Sequence, residues 1–341
     1  MLRFVLRRLA ALPLVLAGVT LLLFGLFSRL SPEMRASLYV TDPRQLSSLE
    51  AVVEKHGLRD PFLVQYGRWL KDILRGDLGY SETAKMPVAD ALAAYFPATI
   101  ELSAASFIPI VLLGVWLGTR AAVNQDRWVD HLSRFVSITG YSLPSFVLGL
   151  FLLMVFYGLL QAFPPGRYSL PTDIAVHSPS FRSWTGLLTL DTLLNGRGAA
   201  FLDVARHLVL PAATLTYVSM ALLVRVTRSS MLEELSKDYV RTARAKGLPE
   251  SAVIARHARR NALVPVITVA SILLVNLLGG VIITETVFAY PGIGRWVAQA
   301  ALQLDVPAVM GVSLVSSSLF VLGNLAADVL YAAADPRIRL Q

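Results

Sequence analysis

Apolar runs near 20 residues recur along the chain, and they constrain its fold more than any other feature. A helix of about 20 apolar residues crosses the roughly 30 Å hydrocarbon core of a bilayer. Charged residues make up only 16% of the 341 residues, whereas a soluble domain carries about 25%. The chain has no cysteine, which excludes disulfides and cysteine-ligated metals. The sequence therefore predicts an all-α protein embedded in a membrane.

The hydropathy pattern predicts six membrane-spanning helices. Their approximate bounds are 9–27, 98–119, 135–160, 207–226, 262–284 and 307–333. A cleaved signal peptide is the alternative interpretation of the first run, but the run is long for one and 28–31 is a poor cleavage site. The predicted organisation is a tail with the first span at 1–30, an external segment at 31–97 and a five-span core at 98–341.

The distribution of lysine and arginine predicts the orientation of the spans. With the N-terminus in the cytoplasm, the cytoplasmic segments hold 17 of these residues and the two shorter external segments hold 5. Cytoplasmic loops are enriched in basic residues, whereas long loops such as 28–97 cross largely regardless of charge. Both termini are therefore predicted to be cytoplasmic. The formal charge of +8 is assigned to these loops and to membrane lipid, and not to nucleic acid, because no basic segment forms a soluble module.

The external segment is expected to be a small helical subdomain on the outer face. Apolar residues recur with helical spacing over 43–75. Asp60-Pro61 is typical of a helix start, with proline at the first helical position.

No catalytic, metal-binding or nucleotide-binding motif is found in the sequence. The phosphate-binding pattern G-x-x-x-x-G-K-[ST] is missing, and 291–294 (PGIG) lacks its lysine and its spacing. There is no H-E-x-x-H pair and no serine or cysteine nucleophile motif. The chain is therefore expected to have no cofactor, no metal and no enzyme activity of its own.

A few polar residues inside the spans are candidates for function. Glu101 and Glu285 lie near outer ends of spans, where an interfacial position is favoured. In the sixth span, polar residues fall within about 60° of one another on a helical wheel: Ser313, Ser317, Asn324 and Asp328. This stripe either lines a hydrated pathway or makes hydrogen bonds between helices. Asn276, on a looser polar face of the fifth span, has the same two interpretations, and helix packing is slightly favoured.

The basic segment 225–260 is long for a cytoplasmic loop. Good helix formers over 239–246 are followed by Gly247, a helix stop in the left-handed conformation. Pro249 at a first helical position, with Glu250 beside it, restarts a helix. The pattern predicts helix, glycine turn and helix, leading into the fifth span. Such a segment acts either as a rigid lever or as a basic loop held against anionic lipid.

Two parts of this segment, 238–247 (DYVRTARAKG) and 256–265 (RHARRNALVP), resemble the cytoplasmic coupling signature of ABC importer permeases. The dipeptide/oligopeptide/nickel branch is the most similar. The general signature begins Glu-Ala-Ala, and this chain has Arg241-Thr242-Ala243, so a glutamate is missing. Further similar stretches lie at 6–9, 56–61, 64–66, 75–79, 97–102, 207–212, 285–288, 290–294 and 335–337. The order of these stretches resembles the first of the two permeases.

The resemblance implies a type I ABC importer permease fold in a bacterial inner membrane. It implies a second permease, two ATPase subunits that bind ATP and Mg²⁺, and an external solute-binding protein. The residues implied to couple to an ATPase are Tyr239, Val240, Arg241, Thr242, Ala243, Arg244, Ala245, Lys246 and Gly247.

The expected cargo is di- or oligopeptides, with oligosaccharides, nickel chelates or another small solute as alternatives. The alternative to an ABC importer, from a different class of transport protein, is an autonomous channel or an ion-coupled carrier. A coupled carrier normally has two related repeats and buried carboxylates near mid-membrane, which six spans with one deep carboxylate fit poorly.

Overall fold

A computed structural model of the chain describes residues 2–37 and 49–334, with side chains for 10–36 and 50–326. The helices are α1 (Leu2–Phe27), α2 (Pro32–Ser37), α3 (Leu49–Lys55), α4 (Phe62–Leu74), α5 (Val88–Val123), α6 (Trp128–Ser142), α7 (Ser145–Leu152, continued as a π-helix over Leu153–Leu159), α8 (Leu170–Val176), α9 (Leu188–Leu194), α10 (Gly198–Ser236), α11 (Asp238–Ala245), α12 (Glu250–Ala252, continued as a π-helix over Val253–Ala258), α13 (Arg259–Leu278), α14 (Ile282–Val287), α15 (Ile293–Leu302) and α16 (Val306–Ala334). Strands β1 (Tyr80–Ser81) and β2 (Met86–Pro87) form a short antiparallel hairpin. The predicted all-α fold is confirmed.

Five helical segments are long and apolar enough to cross a membrane: Ala10–Phe27, Val88–Val123, Gly198–Ser236, Glu250–Leu278 and Val306–Ala326. The pair α6 and α7 supplies a sixth if the two are counted as one span. We number these spans one to six in chain order, with the pair as span three. The predicted set of six therefore corresponds to five continuous spans and one broken span.

The third span is bent by 102° between its two helices. Leu143 is extended there, with φ −80° and ψ 121°, because a residue before proline avoids the helical conformation. Pro144 has no N–H with which to continue the ladder of α6. Hydropathy predicted one span over 135–160, and the structure divides this span at a sharp corner.

Span five also ends earlier than predicted, at Leu278 and not near residue 284. Gly280 has φ +99°, a conformation open to glycine and costly for other residues. The chain turns at this glycine and forms the separate short helix α14, so Glu285 does not lie on span five.

Close helix packing in the core depends on small residues of α5. A Cβ atom on Gly114 would lie 2.8 Å from Leu223 Cβ, and one on Gly118 would lie 2.5 Å from Thr227 Cβ. Small residues spaced by four bring two helix backbones together inside a membrane. Helices α6 and α13 also pack on α10, so span four is the centre of the bundle.

Two carboxylates at one end of the bundle are buried, although sequence analysis favoured the membrane interface for them. Glu101 is 4% exposed and Glu285 is 0% exposed. Glu101 accepts hydrogen bonds from Arg167 Nη2 at 3.0 Å, Tyr290 Oη at 3.1 Å and the backbone N–H of Thr189 at 2.6 Å. These bonds join span two to the segments that precede spans four and six.

Glu285 makes a second connection between the same regions. Its carboxylate accepts hydrogen bonds from Thr99 Oγ1 at 2.9 Å and from the backbone N–H of Arg295 at 2.8 Å. Thr99 Oγ1 accepts a further bond from the backbone N–H of Ile293 at 2.9 Å. A Cβ on Gly292 would lie 2.4 Å from the carboxyl carbon of Glu285. Only glycine leaves room for this carboxylate.

The external segment is helical, as predicted. Ala36, Val53 and Leu58 form its small apolar core. Pro61 is the cap residue directly before α4 and not, as had been expected, its first helical residue. The hairpin that follows is attached to the start of span six, because Asp305 Oδ2 accepts hydrogen bonds from Ser81 Oγ at 2.6 Å and from the backbone N–H of Thr83 at 2.9 Å.

We predict that Gly292→Ala lowers the stability of the folded protein by about 1–3 kcal/mol, the usual cost of an overpacked site. The added methyl group displaces the Glu285 carboxylate from Thr99. Thermal unfolding in detergent measures the effect. Gly198→Ala is the matched control, since no atom lies within 4 Å of the point that its Cβ would occupy. Equal transition temperatures for the two variants would contradict the prediction.

Candidate functional site

The loop between spans four and five has the predicted order of helix, glycine turn and helix. Lys237 is extended, with φ −73° and ψ 150°, and ends α10. Helix α11 follows, and Gly247 has φ +77°, so it provides the left-handed turn. Pro249 directly precedes α12 and is not its first residue. The chain then continues without a break into span five.

One face of α11 is buried against the ends of spans four and five that the loop connects. Val240 is 0% exposed, and Ala243 is buried beside it. They pack in one apolar cluster with Met231 of α10 and with Ala258 and Ala262 at the start of span five. Helix α11 is therefore fixed to both spans by burial of apolar surface.

Polar contacts connect the same helix to both spans. Tyr239 Oη donates to a carboxylate oxygen of Glu234 on α10 and accepts from Asn261 Nδ2 at 3.0 Å. Partial burial, and then the bond to Glu234, raise the pKa of Tyr239, so its hydroxyl keeps the proton that it donates. A force on α11 would thus reach spans four and five together.

Across the glycine turn, α11 is also bound to α12. Arg244 donates to both carboxylate oxygens of Glu250, from Nε at 3.0 Å and from Nη2 at 2.7 Å. This bond raises the pKa of Arg244, and the guanidinium stays charged. A paired guanidinium and carboxylate fix the angle between the two helices through directional hydrogen bonds.

The opposite face of α11 is open to solvent. Of the nine residues predicted to couple to an ATPase, Val240 and Ala243 are buried, and the rest are exposed: Tyr239, Arg241, Thr242, Arg244, Ala245, Lys246 and Gly247. The exposed set includes three cationic side chains. The helix is therefore rigidly attached on one side and free to contact another protein on the other.

The polar stripe of span six is half-buried where it is described. Ser313, Ser317 and Asn324 make no hydrogen bond within residues 10–36 and 50–326, and the side chain of Asp328 lies outside these ranges. Contact with span five instead runs through Ser316, whose Oγ donates to Gly279 O at 3.4 Å, and through Gly323 beside Val275. The stripe lies 60–120° around the helix from Ser316, given 100° per residue.

Asn276 lies on the exposed side of span five. Asn261, Pro265, Thr268 and Ile272 are exposed with it, at the spacing of one helix face. Thr268 and Asn276 of this row are at membrane depth, where an unpaired hydroxyl or amide is costly. A hydrated pathway or a protein partner would supply the hydrogen bonds that these groups lack, and both interpretations stay predictions.

Sequence reasoning named Glu101 and Glu285 but favoured the membrane interface for them, and it missed a third buried carboxylate at the other end of the bundle. Asp130 is fully buried and accepts hydrogen bonds from Arg228 Nε at 2.6 Å and from Arg134 Nη2 at 2.7 Å. The one sequence signal for the burial of Glu285 was the pair of glycines at 292 and 294, because a Cβ at either position would meet its carboxylate. No three His, Asp or Glu side chains gather into a metal site within the part of the chain that the structure describes.

Comparison with known proteins agrees with this arrangement over almost the whole chain. Residues 110–340 match the family described as "Binding-protein-dependent transport system inner membrane component", and residues 1–103 match the N-terminal family of the same membrane component.

Several curated proteins are similar to the chain over most of its length. A protein named "Probable D,D-dipeptide transport system permease protein DdpB" from Escherichia coli K12 is 44% identical, over 96% of this chain and 94% of its own length. The dipeptide transport permease DppB of Alkalihalophilus pseudofirmus is 39% identical, over 99% of this chain and 100% of its own length. The oligopeptide transport permease AppB of Bacillus subtilis is 36% identical, over 97% of both chains. The chain therefore belongs to the family of multi-pass inner membrane permeases of binding-protein-dependent ABC transport systems.

Proposed function

We propose that this chain and a second permease form the translocation pathway of an importer for dipeptides or short oligopeptides. In this proposal, two separate ATPase subunits bind ATP and Mg²⁺, and an external solute-binding protein delivers the cargo. The chain itself contributes the pathway and the mechanical connection to the ATPases, and it catalyses no reaction.

The position of α11 is the observation that carries the proposal. Its inner face is buried between spans four and five, and its outer face is exposed and cationic. An ATPase docked on this outer face would move both spans when it closes on ATP. ATP would then shift the equilibrium between two states of the pore, because it would bind more tightly to the ATPases in one of these states. This arrangement requires the loop to be cytoplasmic, which with six spans also places both termini in the cytoplasm.

The cargo is proposed from the similar proteins and from the polar residues that remain without partners. The names of the relatives describe permeases for dipeptides, D,D-dipeptides and oligopeptides. Neutral amide and hydroxyl side chains such as Asn276, Ser313, Ser317 and Asn324 can bond a peptide backbone without selecting its side chains. Oligosaccharides and nickel chelates remain alternative cargoes, and the binding protein would decide between them.

Reconstitution in liposomes tests the proposal. The chain with its second permease, the ATPases and the binding protein should take up a radiolabelled dipeptide only when ATP is supplied on the ATPase side. The purified chain alone should neither hydrolyse ATP nor transport the peptide, which also tests the alternative of an autonomous channel or carrier. Uptake by the chain alone would contradict the proposal.

We predict that Gly247→Val abolishes uptake and weakens ATPase binding, while the variant still inserts into the membrane. No atom lies within 4 Å of a Cβ at this position, so the cost comes from the positive φ and amounts to about 1–2 kcal/mol. Relieving it would turn α11 away from its partner. Co-purification of the ATPases and peptide-stimulated ATP hydrolysis are measured in one preparation.

Gly247→Asn is the matched control for that variant, because asparagine tolerates the left-handed conformation better than valine. It should retain most of the coupling. If valine and asparagine behave alike, or if valine leaves both measurements at the wild-type level, α11 is not the coupling element and a lipid-facing basic loop becomes the better explanation.

We predict that Asn276→Leu and Asn324→Leu each lower peptide uptake several-fold with little change in membrane abundance, because each removes an amide from the pathway. Ile272→Leu, on the same exposed side of span five, is the control and should transport normally. Uptake is measured in vesicles and normalised to permease abundance. Full activity of the double variant would favour helix packing as the role of these side chains.

A further inference from the structure

Helix α4 of the external segment crosses span one near its Phe27 end. The rings of Phe62, Tyr66 and Trp69 all lie against Phe24, with centroid distances of 5.6, 5.6 and 6.0 Å. Residues 62 and 69 are about 10 Å apart along a helix axis. Rings from two turns of α4 thus meet a single residue of span one, as expected where two helices cross.

The crossing point lies inside the membrane-spanning part of the chain. Phe24 is about 4 Å from the Phe27 end of span one, at a rise of 1.5 Å per residue. Tyr66 Oη lies 2.9 Å from Thr20 Oγ1, which is about 10 Å from the same end. Helix α4 is therefore level with the last turns of a helix that crosses hydrocarbon, and it does not sit above the membrane.

One side of α4 is an exposed apolar stripe, which we call the leucine stripe. It consists of Leu63, Leu70 and Leu74, which fall within about 40° on a helical wheel and are 73%, 38% and 80% exposed. The contact with span one lies about 90° around the helix from this stripe, so span one does not cover it.

The opposite side of α4 carries the rest of the external segment. Gln65 lies about 160° from the leucine stripe and Arg68 about 140° from it. Gln65 Nε2 donates to Leu58 O at 3.0 Å and to Asp60 O at 2.7 Å. Arg68 pairs with Asp60 as well. The external subdomain thus lies on the polar side, and the leucine stripe points away from it.

We propose that α4 is an interfacial helix whose leucine stripe inserts into the bilayer at the boundary of headgroups and acyl chains. Amphipathic helices that lie in this plane bury their apolar face about 5–10 Å deep, which matches the level of Phe24 and Thr20.

Charge on the flank of α4 identifies phospholipid as the occupant. Lys71 and Arg75 are exposed and lie about 80–120° from the leucine stripe, between it and the polar side. Neither has a carboxylate within 4.0 Å among residues 10–36 and 50–326. Long cationic side chains in this position reach lipid phosphates while their stems cover apolar surface. The helix would thereby hold the external subdomain at a fixed height over the membrane.

Spin labels measure this depth directly, because the chain has no other cysteine to label. Leu70→Cys and the control Asp72→Cys place a nitroxide on opposite sides of α4. The full-length chain, purified with its partner subunits, is reconstituted in nanodiscs of phosphatidylethanolamine and phosphatidylglycerol. We expect the label at 70 to be relaxed by oxygen and protected from a water-soluble nickel chelate, and the label at 72 to show the reverse.

Two results would overturn the proposal. Equal access of the nickel chelate to both labels would place α4 in water, above the membrane. Protection of the label at 70 from oxygen and nickel together would indicate that a protein subunit, and not lipid, covers the leucine stripe. Each label is also compared with one at Leu22, an exposed position of span one, as the reference for hydrocarbon.

Discussion

Burial of charge at the outer-segment end of the bundle is the constraint on which the arrangement of the helices depends. A carboxylate taken from water is costly unless hydrogen bonds replace its hydration. Glu285 obtains them from Thr99 and from the backbone of Arg295, and Glu101 obtains them from Arg167, Tyr290 and Thr189. Every donor except Arg295 comes from a different part of the chain than its acceptor. The bonds can form only when span two, the segment before span four and the segment before span six are all in place.

The opposite end of the bundle is organised around α11, which is packed on two spans on one side and open to solvent on the other. Asp130 connects α6 to Arg228 of span four, and α11 packs on spans four and five through Val240 and Ala243. The outward face of α11 has no cover within the described residues. Spans four and five are thus held at one end by α11 and at the other by segments fixed through the buried carboxylates. A displacement of α11 would tilt these spans more readily than it would translate them.

Sequence predicted what depends on local pattern, and it missed what depends on distant partners. Apolar runs located the spans, and Gly247 was correctly assigned a left-handed turn, because both signals reside in neighbouring residues. The corner at Leu143-Pro144 was not predicted, since proline inside a membrane helix is often tolerated. Glu101 and Glu285 were assigned to the membrane interface because they lie near the ends of predicted spans. Their main partners lie 66 to 189 residues away along the chain. A pattern search over neighbouring residues therefore never includes both the carboxylate and these distant partners.

The uneven burial of the spans is itself an argument for a second permease. Span four is 67% buried within the chain, whereas spans five and six are 28% and 22% buried. Lipid can cover their apolar residues at no cost, since its tails are as apolar as leucine. It cannot satisfy Thr268 and Asn276 on the exposed side of span five, where each unpaired polar group costs several kcal/mol in hydrocarbon. A homologous subunit facing this side would cover the apolar residues and leave the polar ones along a hydrated seam, which is where a peptide with many backbone amides could pass.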